Sequence, residues 1–276
     1  MTKSRWVGIA LALLLVLSGC TGNSATTTEG PPDIAENGTV PAAADLQAAT
    51  LSAMSGVDGY TANQTTTIVR QTDDRNRTTT VSVSYAVNRS ERALISNRST
   101  TGPDGTVNVT RYLVEETLYQ HSETFTEEYG TTWISRDLSE NPTRYWQLSD
   151  QLWRYQFTLG NATLSNVTTA TVDGVETYVV TADVDTEELN TALRESLDLP
   201  PGISLASEGN VSLTARFWID SETYRPVQVE RTLEETRTND GTTVQVTRDV
   251  TTKVTYGNVS VSLPDAAEDA QSVGDQ

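Results

Sequence analysis

Chemistry needs nucleophiles, bases or metal ligands, and this chain is short of all three. It holds one cysteine, Cys20, and one histidine, His121. Disulfide frameworks, Cys/His zinc sites and Cys–His nucleophile pairs are thereby excluded. His121 sits in Tyr119-Gln120-His121-Ser122-Glu123, a strand-like stretch, with no Gly-x-Ser-x-Gly elbow to serve. There is no Walker loop and no Gly-x-Gly-x-x-Gly. The acids of Asp183-Val184-Asp185-Thr186-Glu187-Glu188 offer the oxygen ligands that Ca2+ takes, but their spacing is not that of an EF-hand. The start of a helix, whose dipole favours acids, accounts for them. The sequence therefore predicts no enzyme activity, no metal site and no cofactor.

Cys20 is the exception, because its surroundings give its thiol a task. Lys3 and Arg5 form a short positive segment, and Trp6 to Leu17 is an apolar run of twelve residues. A bilayer-crossing helix needs about 20 apolar residues, so the run reads as the core of a signal peptide, residues 1–19. It ends in Leu17-Ser18-Gly19-Cys20, a lipobox: small residues admit the processing enzyme, and the thiol of Cys20 takes the lipid. No Arg-Arg pair marks twin-arginine export. The chain is therefore expected on the extracellular face of the cell membrane, held there by its lipid anchor, with two acyl chains giving firm attachment at about 0.8 kcal/mol per buried CH2. Residues 20–38 then form a tether rich in Gly, Pro, Ser and Thr, without hydrophobic periodicity. Such a segment reaches about 20–25 Å, which keeps the folded part near the membrane.

Charge supports a surface location. Acidic residues outnumber basic ones 37 to 19, for a net charge of -18 and a pI near 4.3. A nucleic-acid partner is excluded, since phosphate binding needs clustered Lys and Arg. Only Lys3 and Lys253 are lysines. Abundant acid with scarce lysine suits concentrated salt, where screening removes self-repulsion at short range; an ordinary acidic surface protein is the alternative. Ten of the fourteen asparagines start Asn-x-Ser/Thr: Asn37, Asn63, Asn76, Asn88, Asn97, Asn108, Asn161, Asn166, Asn210 and Asn258. In four of these the middle residue is valine (Val109, Val167, Val211, Val259). On a strand that turns Val to the core and both Asn and Ser/Thr to water, where a glycan fits. The pattern reads as glycosylation, or as the outer-face spacing of a Thr-rich sheet. Together these features point to the cell surface of a halophilic archaeon.

The elements between residues 39 and 263 read as one domain. Val40, Ala43, Leu46, Ala49, Ala53, Met54 and Val57 recur at three- and four-residue spacing, an amphipathic helix stopped by Gly56 and Gly59. From Tyr60 the period becomes two, in Val81-x-Val83-x-Tyr85-x-Val87, around Asp173-Gly174, and in Val211-x-Leu213-x-Ala215-x-Phe217-x-Ile219. Alternation with polar partners means antiparallel sheet, packed on one face and wet on the other. Two helical stretches interrupt it. Pro142 to Phe157 is rich in aromatics, and Thr186 to Leu197 carries Leu189, Leu193 and Leu197 as a buried stripe with Thr186 as N-cap. Residues 264–276 are expected to be a loose acidic tail.

The order helix, long meander, mid-chain helices and closing strands resembles that of LolA-like and mycobacterial LppX/LprG-like lipoproteins. Phe217-Trp218-Ile219-Asp220-Ser221-Glu222-Thr223-Tyr224-Arg225-Pro226-Val227 is similar to the family's strand, Asp-x-x-Thr-x-x-Pro turn and returning strand. Val172-Asp173-Gly174-Val175-Glu176-Thr177-Tyr178 is similar to a second landmark, while Arg98 to Asn161 matches no family motif. The resemblance implies an α+β fold: a strongly curved antiparallel β-sheet, a LolA-like half-barrel, with helices covering its concave face over a cavity for acyl chains. Candidate cavity residues are Trp133, Trp146, Leu148, Leu152, Trp153 and Phe157; the alternative is that these side chains fill the core. The function read from this is a non-enzymatic carrier of a lipid or other apolar ligand, with a protein- or peptide-binding module on the same half-barrel as the alternative. No particular protein partner is indicated. Replacing Cys20 with Ser is expected to leave a folded domain that no longer sediments with membranes; a Cys20→Ser chain that stays membrane-bound in detergent-free fractionation contradicts the anchor.

Overall fold

The computed structural model describes residues 40–72, 75–199, 210–239 and 242–274. The chain divides into two units, Met1–Gly30 and Pro31–Gln276, and every described residue lies in the second. The signal segment, Cys20, the tether, Asn37 and Pro200-Pro201-Gly202 fall outside the described residues.

Period-two patterning gives twelve strands in one sheet. A first helix, α1 (Ala43–Ser55), leads into β1 (Gly59–Gln71), β2 (Asn76–Asn88), β3 (Ala93–Gly102), β4 (Gly105–Val114) and β5 (Thr117–His121). The one-turn helix α2 (Phe125–Tyr129) precedes β6 (Trp133–Asp137). Helices α3 (Pro142–Ser149) and α4 (Gln151–Gly160) separate β6 from β7 (Thr163–Val172) and β8 (Val175–Val184). After α5 (Thr186–Leu197) come β9 (Asn210–Asp220), β10 (Pro226–Asn239), β11 (Thr242–Tyr256) and the two-residue β12 (Gln271–Ser272). The spatial order is β12-β6-β5-β4-β3-β2-β1-β11-β10-β9-β8-β7, antiparallel except for β12 beside β6. This is the expected α+β architecture: an unclosed, curved, half-barrel sheet with helices on one face.

Turn chemistry fixes the hairpins. Asp173 and Gly174 take φ of 50° and 87°, the two positive values a tight hairpin needs and that only such residues tolerate. In the Asp220 turn, the carboxylate accepts from the N–H groups of Glu222 and Thr223 at 2.8 and 3.0 Å. Gly59 is needed for a different reason: a Cβ there would lie 2.7 Å from the Gly257 carbonyl oxygen, where β1 meets the end of β11.

The topology dictates where the helices go. The six strands from β1 to β6 and the five from β11 back to β7 form two meanders joined at the centre by β1 and β11. Strand β6 therefore lies near one edge and β7 forms the other. The segment between them must cross the sheet, and α3 and α4 are that crossing. Under them lies the core. Register aligns Val180, Phe217, Val229 and Thr252 across β8, β9, β10 and β11, all of them buried. From α1, Leu46, Thr50 and Met54 close over this face, and from α4, Leu152, Tyr155 and Leu159.

Three readings of the sequence change here. Pro142 to Phe157 is two helices, because Asp150 leaves helical geometry (φ −75°, ψ 110°) and N-caps α4, accepting from the Leu152 N–H at 3.0 Å. Asp185, not Thr186, caps α5, accepting from the N–H groups of Glu187 and Glu188 at 2.9 and 3.0 Å. The acidic tail is ordered through Gly274, so the domain extends past residue 263: a single 3-10 turn (Asp265–Ala267) buries Ala267, β12 pairs with β6, and Val273 N–H donates to the Ser135 carbonyl at 2.8 Å. Strand β6 would otherwise present a row of unpaired backbone groups, and the tail covers the edge at Ile134 and Ser135.

One buried polar knot pins the crossing helices to the sheet. The Tyr60 hydroxyl of β1 donates to Asp150 Oδ1 at 2.8 Å and accepts from the Gln151 N–H at 2.9 Å. Arg89, in the β2–β3 turn, donates from Nε to Asp150 Oδ2 at 2.8 Å and from Nη1 to the carbonyls of Met54 and Val57 at 2.7 and 3.1 Å. Burial and the adjacent carboxylate push the Tyr60 phenol well above its usual range, so it stays a donor. Replacing Asp150 with Ala strands the Arg89 guanidinium in a largely buried place. It is expected to cost about 3–5 kcal/mol, measured by urea denaturation, whereas Tyr60→Phe is expected to cost about 1–3 kcal/mol.

Candidate functional site: a groove between helices and sheet

The helices do not cover the concave face completely. Among the hollows left between helices and sheet, two measure about 370 and 500 Å3. These lie in the range of small-molecule sites, about 300–1,000 Å3. They share two wall residues, Leu148 of α3 and Arg154 of α4.

The larger hollow is mainly apolar. Trp153 and Phe157 of α4 stack at 5.1 Å between ring centroids and form one side. Leu189 and Leu193 of α5 form another, and Leu213, Leu233 and Val250 form the floor. Both α5 leucines are only half-buried. Leu197 alone of the expected stripe is buried, so the stripe points mostly into the hollow. Leu189 and Leu193 thus join the candidate site, and their i, i+4 spacing was the signal that could have marked them.

The smaller hollow is mixed, with Val83, Leu94, Leu113 and Leu118 among its walls. Gln64, Thr66, Ser96, Arg98 and Arg111 also line it, as do Tyr85 and Gln151. Gln151 Nε2 donates to the Tyr85 hydroxyl at 3.0 Å. Desolvation lowers the pKa values of Arg154, Arg111 and Arg248 in these walls. A second cause in each case is another guanidinium: Arg231 for Arg154, Arg98 for Arg111, and Arg70 with Arg237 for Arg248.

The structure divides the six cavity candidates. Leu148, Trp153 and Phe157 line the larger hollow. Trp146 and Leu152 do not: both are buried in the core cluster. Trp133 is on β6, half-buried, with its ring 4.8 Å from His121 and 6.0 Å from Tyr112. The Nε2 of His121 is 3.9 Å from Glu123 Oε1. Among the described residues no cluster of His, Cys, Asp and Glu is arranged to hold a metal, and no helix is long and apolar enough to cross a membrane.

The sequons fall on several kinds of site. Asn63, Asn76, Asn97, Asn108, Asn161, Asn166 and Asn258 are exposed. Asn88 is half-buried and occupied, donating to Glu91 and to the Val259 carbonyl at 2.9 and 3.0 Å. The side chain of Asn210 lies outside the described residues. Of the sequon valines, Val167 packs on the core and Val211 lines the larger hollow, as strand alternation requires.

A half-barrel sheet with a partly covered, two-compartment groove is thus the arrangement the chain builds. No protein-family model and no curated protein sequence matches it. Among solved structures it is similar to LprF from Mycobacterium bovis, at 13% identity over 82% of this chain and 99% of that one, with a TM-score of 0.41. It is similar, too, to a putative outer membrane lipoprotein-sorting protein domain from Vibrio parahaemolyticus, at 9% identity over 81% and 94% of the two chains, TM-score 0.27. A DUF1329 family protein from Desulfovibrio piger gives 8% identity over 81% and 94%, TM-score 0.28.

Trp146 and Trp153 are expected to respond differently to substitution. Trp146→Ala empties core and is expected to cost about 3–5 kcal/mol. Trp153→Ala leaves the core intact and is expected to change the melting temperature little, while removing the groove's own contribution to the tryptophan emission. Thermal denaturation of the two variants checks the ordering.

Proposed function

We propose that this chain is a lipid-anchored protein of the extracellular membrane face that holds a lipid or other apolar ligand in its groove without acting on it chemically. The observation that carries this reading is the unfilled 500 Å3 hollow, with Leu148, Trp153, Phe157, Leu189 and Leu193 facing it. Apolar surface left in water costs about 25 cal/mol per Å2, so an acyl or isoprenoid chain laid there recovers what the incomplete helical cover forgoes. The site sits on helices: the Asp150 knot ties α4 to β1, and α5, capped by Asp185, carries Leu189 and Leu193. The lipobox at Cys20 and the short tether bring such a groove within reach of the membrane surface. The acidic surface and the dense sequons suit an extracellular, high-salt setting.

Native mass spectrometry and solvent extraction of the purified chain test the reading. A co-purifying lipid, lost when Leu189 and Leu193 are both replaced by Asp in a protein that still folds, is the expected result. Protein that is lipid-free in several preparations, and that takes up none on addition, favours a protein- or peptide-binding module instead.

A further inference from the structure

Across the whole chain, acids outnumber bases 37 to 19. Neither hollow has an acidic residue in its walls, yet both have arginines: Arg98, Arg111 and Arg154 around the smaller, Arg154, Arg231 and Arg248 around the larger. Strand parity makes this inversion. On β10 and β11, Arg231 pairs with Val250 and Leu233 with Arg248 on the inner face, whereas Glu230, Glu234 and Asp249 alternate to the outer one. The acid that does turn inward on these strands, Glu235, is buried and taken up by Arg237 and Arg248. Among the described residues, Arg111, Arg154 and Arg231 have no carboxylate within ion-pair distance. Arg231 instead lies over the Tyr155 ring, 5.3 Å from its centre.

We propose that the groove is built for an amphiphile with an anionic headgroup, its hydrocarbon on Trp153, Phe157, Leu189 and Leu193 and its phosphate, sulfate or carboxylate on Arg154, Arg231 and Arg111. The assignment rests on reading the groove as a lipid site and names the class of lipid. Charge complementarity carries it. Like charges gathered along one groove repel one another, and an anion placed among them relieves that repulsion. Guanidinium groups suit the task, because their planar fork bonds two oxygens of one phosphate or carboxylate. Arg154 stands in the wall common to both compartments, the position a headgroup takes when its chain fills the apolar one. A neutral lipid would leave these cations as they are, and a bare anion would leave the apolar hollow unfilled.

The test compares ligands with the same chain on the full-length protein at one fixed salt concentration. Hexadecyl phosphate, hexadecanol and inorganic phosphate are titrated against tryptophan emission, and thermal melts confirm the fold of each variant. Hexadecyl phosphate is expected to bind about tenfold or more tighter than hexadecanol, and inorganic phosphate alone to leave the emission unchanged. Arg154→Gln and Arg111→Gln should each reduce that preference. The Arg154→Gln/Arg231→Gln pair should abolish it while hexadecanol binding persists. Equal affinities for the two amphiphiles, or an undiminished preference in the folded Arg154→Gln and Arg111→Gln chains, overturn the anionic headgroup and leave the apolar site standing. Inorganic phosphate binding as tightly as hexadecyl phosphate overturns it in favour of a simple anion site. If neither amphiphile binds, the lipid reading falls and this assignment with it.

Discussion

The structure depends on one buried carboxylate. Asp150 is fully buried and holds together parts of the chain that sequence keeps far apart: Tyr60 lies 90 positions away and Arg89 lies 61. It caps α4, accepts from β1, and holds an arginine whose other bonds close the end of α1. A charge taken from water must have its hydrogen-bonding capacity met, and here three separate elements meet it. The knot therefore sets a single angle at which α3 and α4 cross the sheet. Everything in the groove follows from that angle, because Leu148 lies two residues before Asp150 while Trp153 and Arg154 lie three and four after.

The knot also separates core from site. Trp146 and Trp153 are seven residues apart, about two turns, so on one continuous helix they would share a face. The break at Asp150 redirects the second helix: Trp146 enters the core, and Trp153 turns into the hollow with Phe157 stacked on it. A crossing made of a single helix would bury both tryptophans or neither. With two short helices joined at a fixed corner, the same run of aromatics both anchors the cover and leaves part of it open.

What was legible in the sequence was what repeats locally. The alternation around Phe217 and the Asp173-Gly174 turn depend on neighbours within a few residues, and both appear as read; the first helix appears too, but shorter, over Ala43–Ser55, with Val40 exposed ahead of it. The features that escaped depend on distant partners. In sequence Asp150 looks like a polar residue on a helix surface, because nothing near it announces Tyr60 or Arg89. The stripe Leu189-x-x-x-Leu193 reads as core, because amphipathic spacing says which face is apolar but not whether anything covers it. The tail after residue 263 is polar enough to read as loose, and it orders because the edge of β6 supplies partners that the tail itself does not encode.

The distribution of charge completes the picture. A strongly acidic chain gains nothing in general solubility by turning arginines inward, since its outer surface already carries the repulsion that keeps copies apart. A sheet that only needed to be covered would place aliphatic residues at positions 98, 111 and 231, as it does at Val83, Leu113 and Val229 on the same face. Guanidinium groups at those positions make the wall harder to desolvate, and they explain why the helical cover stays ajar over them: closing it would bury cations without partners. The opening of the groove and the charge of its walls are thus one constraint. The arginines and the apolar floor thus meet in one groove, and neither is covered by the helices.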